Sequence, residues 1–393
     1  MSSSALSQIC FATSSTDSSI YAWNIYTGTL LKTYKANTCN KNCASLLRKS
    51  ALKCAIVSCQ SDTSILNSWS LSKEIIGSKS ILNQKFCSFS TSSEGKYLAA
   101  GTVEGSLMIW DAESGELLAN FAAHFSSIRV IRFSVDSLHL VSGSEDGSVS
   151  IWSLEALMVR QNNSPLHCWI DHSASIEDIF ISQDSSKNAR ILTASKDSFC
   201  HYYALGAGKG GKICSFKLPC EATACIVDAN ERNIFIGGSS GDIFPVSCLD
   251  SSVQLSSVTI AEGSVMKYHS AKVNSFCFAP DQQCLLAASE DCTVSCWDVE
   301  SRQLLRCISF FKGAVTNVFC SILPLSLDAS LSIPMLKRTI STEERAMTTL
   351  EGGEFEFSSS NAETPLERLV KLQQEYAHLN VMYEEVFQMA NSK

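Results

Sequence analysis

The stretch Leu140-Val-Ser-Gly-Ser-Glu-Asp146-Gly-Ser-Val-Ser-Ile-Trp152 decides the fold. It reads as an apolar strand, a polar turn, an alternating strand and a closing aromatic residue. Two further copies stand beside it: Leu285-Leu-Ala-Ala-Ser-Glu-Asp291-Cys-Thr-Val-Ser-Cys-Trp297-Asp298 and Leu98-Ala-Ala-Gly-Thr-Val-Glu104-Gly-Ser-Leu-Met-Ile-Trp110-Asp111. Fainter copies end at Trp23, Trp69, Tyr203 and Val246. The seven end-points lie 46, 41, 42, 51, 43 and 51 residues apart. A turn acid precedes the aromatic by six residues in Asp17/Trp23, Glu104/Trp110, Asp146/Trp152, Asp197/Tyr203 and Asp291/Trp297. Ser240/Val246 keeps the spacing without the chemistry, and Asp62/Trp69 is one residue longer. A period of this length marks an array of supersecondary units.

Composition narrows the rest. The 393 residues are 45% hydrophobic and 18% charged, enough to bury a sizeable core. A net charge of -8 argues against a domain that grips nucleic acid mainly through its charge. No apolar run approaches the ~20 residues of a membrane span. The start, Met1-Ser2-Ser3-Ser4, lacks the basic and apolar regions of a secretory signal. The 18 cysteines therefore read as free thiols of a reducing compartment. Cys10, Cys87, Cys277, Cys296 and Cys320 all sit in apolar, β-like runs. The pairs Cys39-x3-Cys43 and Cys292-x3-Cys296 have no matching second pair or nearby His, so no metal is expected.

The repeat resembles the WD40 family over about residues 5–322. That resemblance implies an all-β, seven-bladed β-propeller of four-stranded blades. A lone blade cannot bury both faces of its sheet, but a ring of blades buries each face on a neighbour. Closure is also readable. The first copy begins directly with Ile9–Ser14 and lacks a preceding strand, while a surplus strand, Ala314–Ile322, follows the seventh copy. Three strands from one end and one from the other are expected to latch the ring.

His124, Ser142 and Asp146 look like the parts of a hydrolase triad. The WD40 resemblance implies instead a buried tetrad of His, Ser or Thr, Asp and Trp. His124 lies 28 residues before Trp152 and His269 lies 28 before Trp297, which marks a repeat and not one active site. The expected structural residues are His124, Ser142, Asp146 and Trp152; His172 and Asp197, with Tyr203 in place of Trp; and His269, Asp291 and Trp297. Ser144 is an alternative to Ser142. The blades ending at Trp23, Trp69, Trp110 and Val246 have no His at that spacing. The segment Gly206-Ala-Gly-Lys-Gly-Gly211-Lys212 matches most of a phosphate-cradling loop, but Ile213 replaces the magnesium-binding hydroxyl and a strand follows where a helix is needed. It reads as a basic hairpin loop. No catalytic residue and no cofactor are expected.

From 323 to 363 strand periodicity is lost, and Pro324, Pro334, Gly352, Gly353 and Ser358-Ser-Ser360 indicate a flexible linker. Thr364-Pro365-Leu366-Glu367 then reads as a helix start. Leu369, Leu372, Tyr376, Leu379, Tyr383, Val386 and Ala390 follow at 3–4 spacing, an a/d stripe expected to form a coiled coil over 364–391, pairing with itself or with a partner helix.

Three segments add specificity: Ile236-Gly-Gly-Ser-Ser-Gly241-Asp-Ile-Phe-Pro-Val246, Phe311-Lys-Gly-Ala-Val-Thr-Asn-Val318 and His172-Ser-Ala-Ser-Ile-Glu-Asp178. With the coil they resemble the WD-repeat subunit of Rix-type complexes, which act in late maturation of the large ribosomal subunit. The resemblance implies a non-enzymatic protein of the nucleus, in nucleolus and nucleoplasm, that dimerises through its C-terminal helix. It implies a HEAT-repeat scaffold subunit as direct partner, and an AAA-type remodelling ATPase and the pre-ribosomal particle through the complex. RNA contact is expected to be indirect. Two rivals are a substrate receptor of a cullin-type ubiquitin ligase and a nucleotide hydrolase using Lys212. The first is disfavoured because Trp110-Asp111 and Trp297-Asp298 are not followed by the Arg of a W-D-x-R end.

Overall fold

The computed structural model of the chain describes residues 6–35, 38–50, 53–60, 63–158, 163–183, 189–205, 211–247, 257–259, 265–324, 327, 331 and 333–340. Each quoted repeat folds as the second and third strands of a blade. In the fourth blade, His139–Ser144 pairs with Val149–Ser153, placing Leu140 opposite Trp152 and Ser142 opposite Ser150. The same register sets Leu285 opposite Trp297 and Ile191 opposite Tyr203. Alternation puts the closing aromatic and the middle of the second strand on one face. Trp23, Trp69, Trp110 and Trp152 are thereby among the largest fully buried side chains.

Seven sheets result, and the chain is a seven-bladed all-β propeller. The innermost strands of blades 2 to 7 begin at Ala44, Phe86, Ile128, Ile176, Ala222 and Val273. That of blade 1 comes from the far end of the chain: Val315–Pro324 pairs antiparallel with Leu6–Ser14, from Leu6 opposite Pro324 to Ser14 opposite Val315. The innermost strands touch their neighbours around a closed circle. Apolar clusters lie between successive blades. One joins Ile9, Phe11 and Ile20 of blade 1 to Ile56 and Trp69 of blade 2. Another joins Leu285 and Trp297 of blade 7 to Phe235 and Ile243 of blade 6.

Two blades depart from four strands. Among the described residues, blade 6 has three strands, with Met266 bridging the edge of Ile243–Ser247 at Ile243. Blade 5 gains a fifth strand, Ser257–Thr259, running parallel to Gly211–Lys217.

The expected linker is corrected in its first part. The latch strand runs on to Pro324, and beyond it Leu327, Ile333 and Leu336 are buried. Ile333 and Leu336 join the cluster around Trp110, Leu117 and Phe86. The Lys337 N–H donates to Gly115 O at 2.8 Å, the Leu336 N–H to Ser80 Oγ at 3.0 Å and Arg338 Nε to Ile81 O at 2.7 Å. Proline content removes strand pairing here, but two apolar side chains and these hydrogen bonds pin the segment as a strap over blades 2 and 3. Residues from 341 onward lie outside the described residues. So do the coiled-coil positions Leu369, Leu372, Tyr376, Leu379, Tyr383, Val386 and Ala390.

This architecture makes the latch indispensable and the residues after the strap dispensable for folding. A chain ended at Ser341 is expected to keep one cooperative thermal transition by circular dichroism. A chain ended at Lys312 is expected to lose it.

Candidate functional site

The structure brings His124, Ser142, Asp146 and Trp152 together. Trp152 Nε1 donates to Ser142 Oγ at 2.9 Å, and Ser142 Oγ lies 2.7 Å from His124 Nε2. His124 Nδ1 lies 2.8 Å from Ser148 Oγ, which in turn donates to Asp146 Oδ1 at 2.5 Å. One tautomer satisfies the whole chain, with the ring proton on Nδ1 and each donor pointing toward Asp146. Ser142 is fully buried, so its hydroxyl faces no substrate. Ser144 meets neither His124 nor Trp152; its hydroxyl donates to Ser126 O and accepts from the Asp146 N–H, each at 3.2 Å.

Blade 7 solves the same problem differently. His269 Nδ1 meets Asp291 Oδ2 at 2.9 Å and Nε2 meets Ser295 Oγ at 2.7 Å. Trp297 Nε1 donates to Ser295 Oγ at 2.7 Å. The second-strand position here is Ala287, and Ser295 is its cross-strand partner. The hydroxyl has moved from one strand to the residue directly opposite. In blade 5, His172 joins Asp197 and Thr193, each at 2.8 Å. Tyr203 has no indole N–H to give; its hydroxyl donates to Asp171 at 2.9 Å, and its ring stacks on Trp169 with centroids 4.0 Å apart.

Burial pushes the His124 pKa down, although Asp146 pulls the other way. Burial likewise takes His201, stacked 4.2 Å from His172, down to about 4. Burial opposes charge on Asp146, Asp197 and Asp291, yet hydrogen bonds from Ser148, His172 and Thr293 hold all three below the usual carboxylate range.

Two of the blades without the His find other acceptors for their tryptophans, whereas the Trp23 indole N–H of blade 1 is buried without one among the described residues. Trp69 Nε1 donates to Lys35 O at 3.3 Å. Trp110 Nε1 donates at 3.0 Å to Lys337 O, so the strap completes blade 3.

A turn glycine in the preceding blade accompanies each tetrad His. A Cβ at Gly105 would lie 2.3 Å from His124 O, one at Gly147 2.6 Å from His172 O, and one at Gly241 2.4 Å from His269 O. All three have positive φ. Each tetrad His thus rests its carbonyl on the turn glycine of the preceding blade. The corresponding turn residues Ser198 and Cys292 precede blades that lack the His. This pairing was present in the sequence as a glycine after the turn residue. So was the hydroxyl two residues after the acid, at Ser148 and Thr293.

The axial channel carries the second constellation. Six innermost strands are bulged near their start, at Cys87, Arg129, Glu177, Thr223, Asn274 and Thr316. Side chains at these bulges stitch neighbours together: Thr223 Oγ1 donates to Val273 O at 2.6 Å, Asn274 Nδ2 to Val315 O at 2.8 Å and Thr316 Oγ1 to Cys39 O at 2.8 Å. The segment Lys41-Asn42, between blades 1 and 2, reaches across the channel. Asn42 Nδ2 donates to Arg129 O and Glu177 O, and its Oδ1 accepts from Arg132, which also pairs with Asp178 at 3.2 Å. Lys41 donates to Thr223 O and faces Glu177 at 3.9 Å. Burial lowers the Lys41 pKa, with Asp178 and Glu177 opposing. Beside this plug lies a cavity of about 300 Å³, walled by Phe133, Phe180, Phe276 and Phe278.

Of the other candidates, residues 206–210 lie outside the described residues, and Lys212 pairs with Asp171 at 3.6 Å. Cys39 and Cys43 are buried thiols in the apolar cluster with Leu47, Val57 and Phe86. Among the described residues no group of three or more His, Cys, Asp or Glu is placed to hold a metal ion.

Ser295→Ala should strand the His269 and Trp297 nitrogens and cost about 2 kcal/mol or more by chemical denaturation. Adding Ala287→Ser should restore most of it by rebuilding the blade 4 arrangement. A histidine kept neutral by burial gives full stability above its unfolded value of 6.5 and loses it as pH falls below that. The melting temperature should therefore drop between pH 6.5 and about 4, and His201→Gln should flatten that slope.

Comparison with known proteins agrees with this geometry. The family "WD domain, G-beta repeat" matches residues 115–153 and 262–298, parts of blades 3 and 4 and of blade 7. The pre-rRNA-processing protein crb3/ipi3 of Schizosaccharomyces pombe is 28% identical over 374 residues, 85% of this chain and 82% of that protein. WD repeat-containing protein 18 of Homo sapiens is 28% identical over 325 residues, covering 81% and 73%. Its namesake in Danio rerio is 31% identical over 275 residues, covering 67% and 62%. The chain is a WD40-repeat protein with homologues named crb3/ipi3 and WD repeat-containing protein 18, consistent with a WD-repeat subunit of Rix type.

Proposed function

We propose that this chain is a non-enzymatic scaffold subunit of a nuclear complex for late maturation of the large ribosomal subunit and pre-rRNA spacer processing. One observation carries the reading: homologues aligned over most of the chain are named pre-rRNA-processing proteins. A propeller whose His, Ser and Asp side chains are tied into blade tetrads suits a rigid binding platform. The net charge of -8 favours protein partners over a direct grip on RNA. The partners on this reading are a HEAT-repeat scaffold subunit and, through the complex, an AAA-type ATPase and the pre-ribosomal particle. Helix 364–391 pairs two copies.

Among the described residues Phe125 is the most exposed of the large hydrophobic side chains. Phe125 follows the tetrad His124; its N–H is held by Asp146 at 3.2 Å while its side chain is fully exposed. Ser173 and Ser270 occupy the same position in blades 5 and 7. The fold does not need an aromatic there, and an exposed ring on a held backbone suits an interface.

Affinity purification from nuclear extract should recover a HEAT-repeat protein, a giant AAA-type ATPase and large-subunit rRNA precursors. Phe125→Ala should reduce that recovery several-fold without lowering the melting temperature. Cullin adaptors recovered without pre-ribosomal material would overturn the reading. By light scattering the full chain should have a dimer's mass and the chain ended at Glu363 a monomer's.

A further inference from the structure

The ring has one seam where distant parts of the chain meet, and thiols line it. Cys10 lies on Leu6–Ser14 and Cys320 on Val315–Pro324, and the two are direct cross-strand partners. Directly opposed residues of an antiparallel pair have Cα atoms about 4.5–5.5 Å apart, inside the window of about 4.4–6.8 Å that a disulfide requires. Their side chains share one face of the sheet, because strand alternation is in phase at opposed positions. Both contribute to the apolar cluster between blades 7 and 1, with Cys277 of the blade 7 innermost strand against them. Cys320 thus lies beside both Cys10 and Cys277. Cys10 is fully buried, whereas Cys277 and Cys320 are partly exposed.

From this juxtaposition we propose that Cys10 and Cys320 form a reversible disulfide that locks the propeller ring covalently. The oxidant is a low-molecular-weight disulfide. The Cys320 thiolate attacks one of its sulfurs, forming a mixed disulfide and releasing one thiolate. The Cys10 thiolate then attacks the Cys320 sulfur, forming the Cys10–Cys320 bond and releasing the second thiolate. The two protons lost by the protein thiols end on the two released thiolates, so two protein thiols are oxidised and one small disulfide is reduced to two thiols. Cys320 acts first because it is the more accessible member of the pair. Burial holds both thiols above the ordinary range, so the exchange is slow and quickens when the latch strand opens. The bond joins residues over 300 positions apart, and constraint on the unfolded chain grows with loop length. The inference concerns ring closure and stands apart from the role in ribosome maturation.

The test uses the full chain and oxidised glutathione. After incubation, remaining thiols are alkylated under denaturing conditions and peptides are mapped without reduction. The expected result is a cross-linked peptide joining Cys10 to Cys320 at two hydrogens below the summed masses. A melting temperature several degrees higher, returned to its starting value by dithiothreitol, should accompany it. Cys320→Ser should abolish both the peptide and the shift. Recovery of Cys10 and Cys320 as alkylated thiols, while the exposed Cys168 is glutathionylated, would overturn the proposal. So would a Cys277–Cys320 bond as the main product. Mapping the wild-type chain gives the decision even if the serine variant fails to fold.

Discussion

Everything in this molecule depends on one strand pairing made last in sequence and first in importance: Leu6–Ser14 against Val315–Pro324. Bringing together segments some 300 residues apart costs about 5 kcal/mol in loop closure alone. The return is a ring without a free inner end. Each blade then buries both faces, and every interblade cluster has two walls. Opening the pairing exposes the innermost strand of blade 1 and strips one side from its neighbours in blades 7 and 2. The side chains at the seam fit that burden. Phe11 stacks on Phe319 with centroids 5.5 Å apart. Asn317 donates to Thr13 and to Asn40 O, at 2.9 and 2.8 Å, tying the latch to the loop that plugs the channel.

Around this seam the ring is held by two belts of polar contacts at different radii. The inner belt is the bulged innermost strands, whose side chains reach the backbone of the next blade. The outer belt is the tetrads, each resting on a glycine of the preceding blade. The belts explain why the repeats tolerate so much degeneration. A blade lacking the tetrad His, such as blade 3, keeps its inner stitch through Ser88 Oγ, which donates to Ile128 O at 2.7 Å. Its buried tryptophan borrows an acceptor from the strap.

What the sequence revealed follows from where the determinants are local. The two-residue alternation and the six-residue acid-to-aromatic spacing are set within a single hairpin, so Leu140–Trp152 could be read directly, and seven such readings gave the blade count. The latch was legible because a strand was missing at one end and in surplus at the other. The relocated hydroxyl was not: Ser295 and Ala287 are cross-strand partners, and only register reveals that they exchange roles. The glycine rule was hidden for a related reason, since Gly147 matters through His172 of another blade. The strap misled because Pro334 and its serine-containing surroundings look like linker, while its stability comes from a groove made by Trp110 and Leu117, more than 200 residues earlier.

The tetrads draw on the residue types of a hydrolase triad in a buried hydrogen-bonded network. A nucleophilic serine passes its proton to the adjacent histidine and needs an open approach for the substrate. In blade 4 the Ser142 hydroxyl is fully buried and receives the indole N–H of Trp152. At the acid end of the network Asp146 is exposed at the surface and accepts the Phe125 N–H. The hydrogen-bonded chain therefore runs from the buried indole out to the rim, and what it fixes there is backbone. A loop held this way has little backbone entropy left to lose. The tetrads thus stiffen the rim backbone, and the position after each histidine, Phe125 against Ser173 and Ser270, varies while the same N–H to carboxylate contact is kept.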